Sequence, residues 1–212
     1  LWFILILPIV AFLYASVGHG GASGYLALMA LFNFQSSTMK PTALLLNLFV
    51  AGIAFIHYAR EKHFNFRLFL SFGIISIPAA FVGGLIEVET DLYKKILGVL
   101  LIFAIIRLLL PIRNQKSETR NIKLWQGMIL GLLIGFFSGL IGIGGGIILT
   151  PLILFFSWGN MKEAAAVSAL FIWLNSLAGL GGQLYQGVEL ENWAYVFVGI
   201  AVAGGFLGSY FG

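Results

Sequence analysis

The chain has 212 residues, of which 60% are hydrophobic and 9% charged, with 27 glycines and a mean hydropathy of +1.00. Water-soluble domains carry about 25% charged residues, so a soluble globular domain is excluded and lipid is the solvent for most of the surface. The absence of cysteine excludes disulfides and thiolate metal sites, and the net charge of +4 sits in short loops between apolar runs, where membrane topology accounts for it and nucleic acid binding does not.

In chain order, apolar segments run over residues 1–17, 22–34, 41–59, 66–86, 92–110, 124–141, 146–158, 164–182 and 193–212. They predict an all-α polytopic membrane protein, since most approach the roughly 20 residues that span a bilayer. The second and seventh are too short, and each follows a glycine cluster: Gly18-His19-Gly20-Gly21 and Gly142-Ile143-Gly144-Gly145-Gly146. Backbone without helical hydrogen bonds is tolerated at membrane depth only where protein or a water-filled cavity covers it. The two clusters are therefore candidate site elements. The chain starts at Leu1 and stops at Gly212, both inside apolar runs, so its ends read as truncated and one further helix is expected after Gly212.

Shifting the chain against itself by about 124 residues brings Val17-Gly18-His19-Gly20-Gly21 onto Ile141-Gly142-Ile143-Gly144-Gly145. Ala80-Phe81-Val82-Gly83 falls on Gly205-Phe206-Leu207-Gly208 with one residue of slippage. The pattern predicts an internal duplication: a first transmembrane repeat at 1–110, a basic cytoplasmic linker at 111–123 and a second repeat at 124–212. Lys and Arg mark the cytoplasmic side. They concentrate in and just before the linker (Arg107, Arg113, Lys116, Arg120, Lys123) and near Arg60, Lys62 and Arg67, whereas Glu87, Glu89, Asp91, Glu189 and Glu191 mark the outside. The basic loop of the first repeat corresponds to the acidic loop at 186–191 of the second, which predicts inverted topology. Each broken segment pair then begins and ends on one side, either crossing fully or forming a re-entrant hairpin.

A glycine run lets backbone approach a ligand closely, and the helix that restarts after it presents unpaired N–H groups and a positive dipole end to an anion. The candidate substrate site comprises Gly18, His19, Gly20, Gly21, Ala22 and Ser23 from the first break and Gly142, Gly144, Gly145 and Gly146 from the second. Asn47 and Asn175 join it as buried amides on the helix after each break. Gly127, Gly131, Gly135 and Gly139, spaced by four, and Gly204, Gly208 and Gly212 read instead as helix-packing surfaces. His19 either moves a proton or bonds the broken backbone. No carboxylate lies deep in any segment, so a carboxylate proton relay has no candidate.

The run Gly135-Phe136-Phe137-Ser138-Gly139-Leu140-Ile141-Gly142-Ile143-Gly144-Gly145-Gly146, followed by Pro151 and Ala166-Val167-Ser168, resembles the sulfite exporter TauE/SafE family of membrane transporters. Ser16-Val17-Gly18-His19-Gly20-Gly21 is similar to that family's degenerate first copy. The resemblance implies a secondary transporter for sulfite, sulfonates or related small anions, multi-pass in a prokaryotic cytoplasmic membrane, with no cofactor, no metal and no enzymatic activity. His19 departs from the apolar or small residue commoner in the motif. The transport expected is alternating access, one repeat rocking against the other. A homodimer through glycine faces, an anion channel and a structural membrane scaffold are further readings. So is a rhomboid-like intramembrane serine protease built on Gly21-Ala22-Ser23-Gly24, which needs His19 or His57 within reach of Ser23.

Overall fold

The computed structural model describes residues 2–109, 120 and 122–211, and among them the chain is helical with no strand. The helices are α1 (Trp2–Ala15), α2 (Ala22–Leu31), α3 (Ser36–Arg60), α4 (Phe66–Leu85), α5 (Thr90–Leu109), α6 (Leu124–Ile141), α7 (Gly146–Phe155), α8 (Met161–Tyr185) and α9 (Asn192–Phe211). Five of them, α3, α4, α6, α8 and α9, are long and apolar enough to cross a membrane. Most of the linker at 111–123, including Arg113 and Lys116, lies outside the described residues, as does Gly212.

Two starts differ from the expected ones. α3 begins at Ser36 because the Gln35 carbonyl accepts from the N–H groups of Thr38 and Met39, both near 3.0 Å, so Lys40 belongs to the helix and not to a loop. α8 begins at Met161 because Asn160 and Glu163 form a reciprocal capping box, which satisfies two of the orphan donors at a helix start.

Element lengths recur along the chain: ten residues in α2 and α7, 25 in α3 and α8, 20 in α4 and α9. The pairing recurs as well, with α6 laid along α4, α1 along α9, and α3 against α8 at the centre. Glycines set the two outer contacts. A methyl group on Gly127 would lie 2.6 Å from the Ser71 carbonyl oxygen, and methyls on Gly131, Gly135 and Gly139 would run into the Phe72, Ser76 and Ala80 carbonyls of α4. Gly204 and Gly208 meet the Pro8 and Phe12 carbonyls of α1 in the same way. These are the close backbone approaches that small residues permit in membranes. These glycines are thus buried within the chain.

Each broken pair turns back on itself. The Arg120 N–H, just before α6, donates to the Ser157 carbonyl just after α7 at 2.8 Å. Phe3 at the start of α1 lies 5.7 Å from Phe32 and 5.3 Å from Phe34 beyond α2, measured between ring centroids. α7 packs on α8 and has little contact with α6. The ends of the two pairs adjoin different loops: Phe34 meets Trp193 at the start of α9, whereas Lys162, near the end of the second pair, is 3.9 Å from Glu61 after α3.

Replacing Gly131 by Leu is expected to lower stability in detergent by about 1–3 kcal/mol or more, because the added atoms meet backbone and not a movable side chain. Gly199→Ala, at a position with open space, should leave the melting temperature unchanged or raise it, since alanine is the better helix former. Thermal unfolding of the two variants beside the wild type checks this.

Candidate substrate-binding site

The clusters terminate α1 and α6 through left-handed backbone, with φ of 75° at Gly18, 89° at Gly21, 88° at Gly142, 73° at Gly144 and 80° at Gly145. Such angles are strained for residues with a Cβ. Gly21 and Gly145 are also the N-caps of α2 and α7. Carbonyls freed at the ends of the leading helices are met by tyrosine hydroxyls from elsewhere. Tyr58 on α3 donates to the Ser16 carbonyl at 3.0 Å and Tyr93 on α5 donates to the Ile141 carbonyl at 2.7 Å.

Asn47, fully buried on α3, joins three elements. Its Oδ1 accepts from the Ala22 N–H at 3.1 Å, and its Nδ2 donates to Ser176 Oγ on α8 at 3.2 Å. The N–H groups of Ser23 and Gly24 follow in the same turn and have no intrahelical acceptor. Methyls on Gly20 or Gly144 would both overlap the Asn47 amide, and each would also press on Ile172 Cγ2, at 3.0 and 2.8 Å. Asn47 and Ile172 therefore stand between the two breaks. The shift that maps Gly20 onto Gly144 carries Asn47 to within one residue of Ile172, so one repeat places an amide at the junction and the other an aliphatic side chain.

His19 bridges the breaks directly. Its Nε2 lies 3.2 Å from the Gly146 carbonyl oxygen and its Nδ1 3.0 Å from that of Val17. A neutral imidazole donates to only one of these, and a protonated ring donates to both. The backbone-bonding reading of His19 is thus realised, and across the repeats.

The junction brings together His19, Gly20, Ala22, Asn47, Gly144 and Gly146. Other expected residues stand apart. Gly18 packs on Ala165, Gly142 on the backbone of Lys40, and Gly145 between Ile134 and Phe171, while Gly21 faces the Tyr25 ring. Asn175 donates to the Phe171 carbonyl of its own helix at 2.8 Å, and its buried Oδ1 has no partner. Ser23 donates to the Tyr14 hydroxyl at 3.0 Å, and His57 lies against Phe206. Neither histidine bonds the serine, so the nucleophile–base pair of a serine protease is not assembled. Ile172, Ser176, Tyr58 and Tyr93 escaped the sequence reading. Only Ile172 had a signal there, its alignment with Asn47.

An apolar helical bundle with two glycine breaks meeting on a buried amide is a polytopic membrane protein of the transporter class. The chain belongs to the sulfite exporter TauE/SafE family, whose sequence pattern matches residues 3–212. It is 35% identical over 208 residues to Probable membrane transporter protein y4hK of Sinorhizobium fredii, covering 96% of this chain and 84% of the relative. Over 155 residues it is 32% identical to Probable membrane transporter protein MJ0441 of Methanocaldococcus jannaschii, covering 71% and 58% respectively. Probable membrane transporter protein YunE of Bacillus subtilis is 25% identical over 190 residues, 79% of this chain and 69% of the relative. No solved structure matches the chain.

Asn47→Leu keeps the branching and number of side-chain heavy atoms and leaves the Ala22 N–H and the Ser176 hydroxyl buried without a partner. A cost of about 1–3 kcal/mol for each stranded group is expected. Thermal unfolding reads the total, and faster amide hydrogen exchange at the start of α2 locates it.

Proposed function

We propose that the protein is a secondary transporter that carries a small anion, a sulfur oxyanion or organosulfonate such as sulfite, by alternating access through the junction of the two breaks. The observation that carries this reading is the meeting of both glycine clusters on Asn47, with His19 reaching the Gly146 carbonyl. Two helix starts, neutral donors and an imidazole offer an anion hydrogen bonds and favourable dipole ends. The family's name supplies sulfite as the first member of the substrate class to test.

The adjoining ends of each broken pair, next to different loops, support an inverted-repeat arrangement. The basic residues at Arg60, Lys62, Arg67, Arg120 and Lys123 support a cytoplasmic side opposite Glu87, Glu89, Glu189 and Glu191 in the cell membrane. Close packing at Gly20 and Gly144 makes this conformation shut at the junction, which favours a carrier over a standing pore. The side-chain bonds that cross the junction are His19 to Gly146 and Asn47 to Ser176. A neutral hydrogen bond of this kind contributes about 0.5–1.5 kcal/mol, so parting the junction is inexpensive.

The purified protein is expected to gain thermal stability in sulfite, thiosulfate or a small sulfonate and not in carboxylates or a change of cation. A ligand at one hundred times its Kd adds about 2.7 kcal/mol. In proteoliposomes uptake of the same anion should saturate and show counterflow. Gly20→Ala places a methyl on the Asn47 amide without left-handed strain and should abolish uptake while the protein still inserts. Non-saturating flux without counterflow would identify a channel, and normal uptake by Gly20→Ala would remove the junction from the path.

A further inference from the structure

One cavity lies apart from the junction. It has a volume of about 500 Å³ and opens between the start of α3, the end of α4, the start of α5 and the end of α8. Two unusual polar groups line it. Lys40 is 9% exposed, and its ammonium donates to the carbonyls of Gly84 at 3.3 Å and Ile86 at 3.1 Å. An ammonium has three donors, so one remains. The ion pairs among the described residues are His63–Glu61 and Lys162–Glu61, and neither involves Lys40. Gln183 is 3% exposed, and its buried Nε2 has no hydrogen-bond partner.

Lys40 feels the charge of Glu87 but makes no close ion pair with it, and a buried cation so weakly paired and a buried amide donor without an acceptor both cost free energy. Water would satisfy the amide but would not neutralise the charge. The common complement is a small anion with two or more acceptor oxygens. Glu87 and Glu89 also line the cavity, but both are exposed at its mouth, where water and salt weaken their field. The position matters as much as the chemistry. A methyl on Gly142 would lie 3.3 Å from Lys40 Cγ, and Tyr93, which lines the cavity, holds the Ile141 carbonyl. The floor of the cavity is therefore the wall of the second break.

We propose that this cavity is a second anion site, a vestibule in which Lys40 and the Gln183 amide hold a small sulfur oxyanion or sulfonate before or after its passage through the junction. The inference rests on the anion reading given under the proposed function. Its test is titration of the full purified chain with sulfite, thiosulfate and ethanesulfonate, reading both the affinity and the melting temperature of the ligand-free protein. Lys40→Gln should bind at least tenfold more weakly, the scale of a lost charge-assisted hydrogen bond. Lys40→Arg should retain most of the affinity. Gln183→Leu leaves the Lys40 bonds in place and should weaken binding about threefold to tenfold, which keeps the test open if Lys40→Gln does not fold. A folded Lys40→Gln or Gln183→Leu protein with wild-type affinity overturns the vestibule and leaves the anion reading standing. A wild type that binds none of the three anions overturns both.

Discussion

A peptide group in lipid has to find its hydrogen-bond partner within the protein, and the two glycine breaks concentrate that requirement at two points. Each break ends one helix and starts another inside the bundle, freeing carbonyls on one side and N–H groups on the other. The partners come from distant parts of the chain. Tyr58 serves the first break and Tyr93 the second, Asn47 takes the Ala22 N–H, and His19 reaches Gly146. A break is therefore completed only when α3 and α5 have assembled around it. The arrangement of the long helices and the geometry of the breaks are one problem with one solution.

The two breaks share a backbone pattern, but the side chains around them differ. Gly20 and Gly144 approach the same two residues, yet one is Asn47 and the other Ile172. His19 reaches across to the second break, where the equivalent position is Ile143. Residues 19 and 47 thus furnish an imidazole and an amide, and the second half of the chain an apolar Ile172 beside the Gly146 carbonyl and the Ser176 hydroxyl. Ser176, one turn after Ile172, gives the Asn47 amide its only contact with a hydroxyl from the second repeat among the described residues.

Much of this was legible in the sequence because the cause was local. An apolar run too short to span, preceded by several glycines, identifies a break without knowledge of what surrounds it. Glycines four apart identify a helix face, and α6 and α9 bury those faces as expected. What was not legible is pairing between helices. Nothing near Tyr58 or Tyr93 says that its hydroxyl reaches a carbonyl more than forty residues away in sequence. Lys40 lies before Pro41 in a polar stretch that reads as a loop, until the Gln35 carbonyl is seen to start the helix ahead of it. Asn175 goes with Asn47 by residue type, whereas the 124-residue shift places Asn47 on Phe171, one residue from the Ile172 that stands at the junction.

The glycine stripes also constrain how the junction of the proposed carrier could open. Because α6 is locked on α4 and α9 on α1 by backbone contacts, the tightest interfaces run between the repeats and not within them. Rocking one repeat as a body against the other would part both interfaces, losing dense packing on each side with no water in lipid to replace it. The elements with less to lose are α2 and α7. Each is ten residues, about 15 Å long; α7 packs chiefly on α8, and α2 on α3 and α1, and neither carries a glycine stripe locked on a neighbouring backbone. Hinges are already present at both starts in Gly20-Gly21 and Gly144-Gly145, whose backbone tolerates large changes in φ and ψ. For the proposed carrier, the packing favours a swing of the short helices about their glycine starts over rocking of whole repeats, with the glycine-locked pairs as the frame.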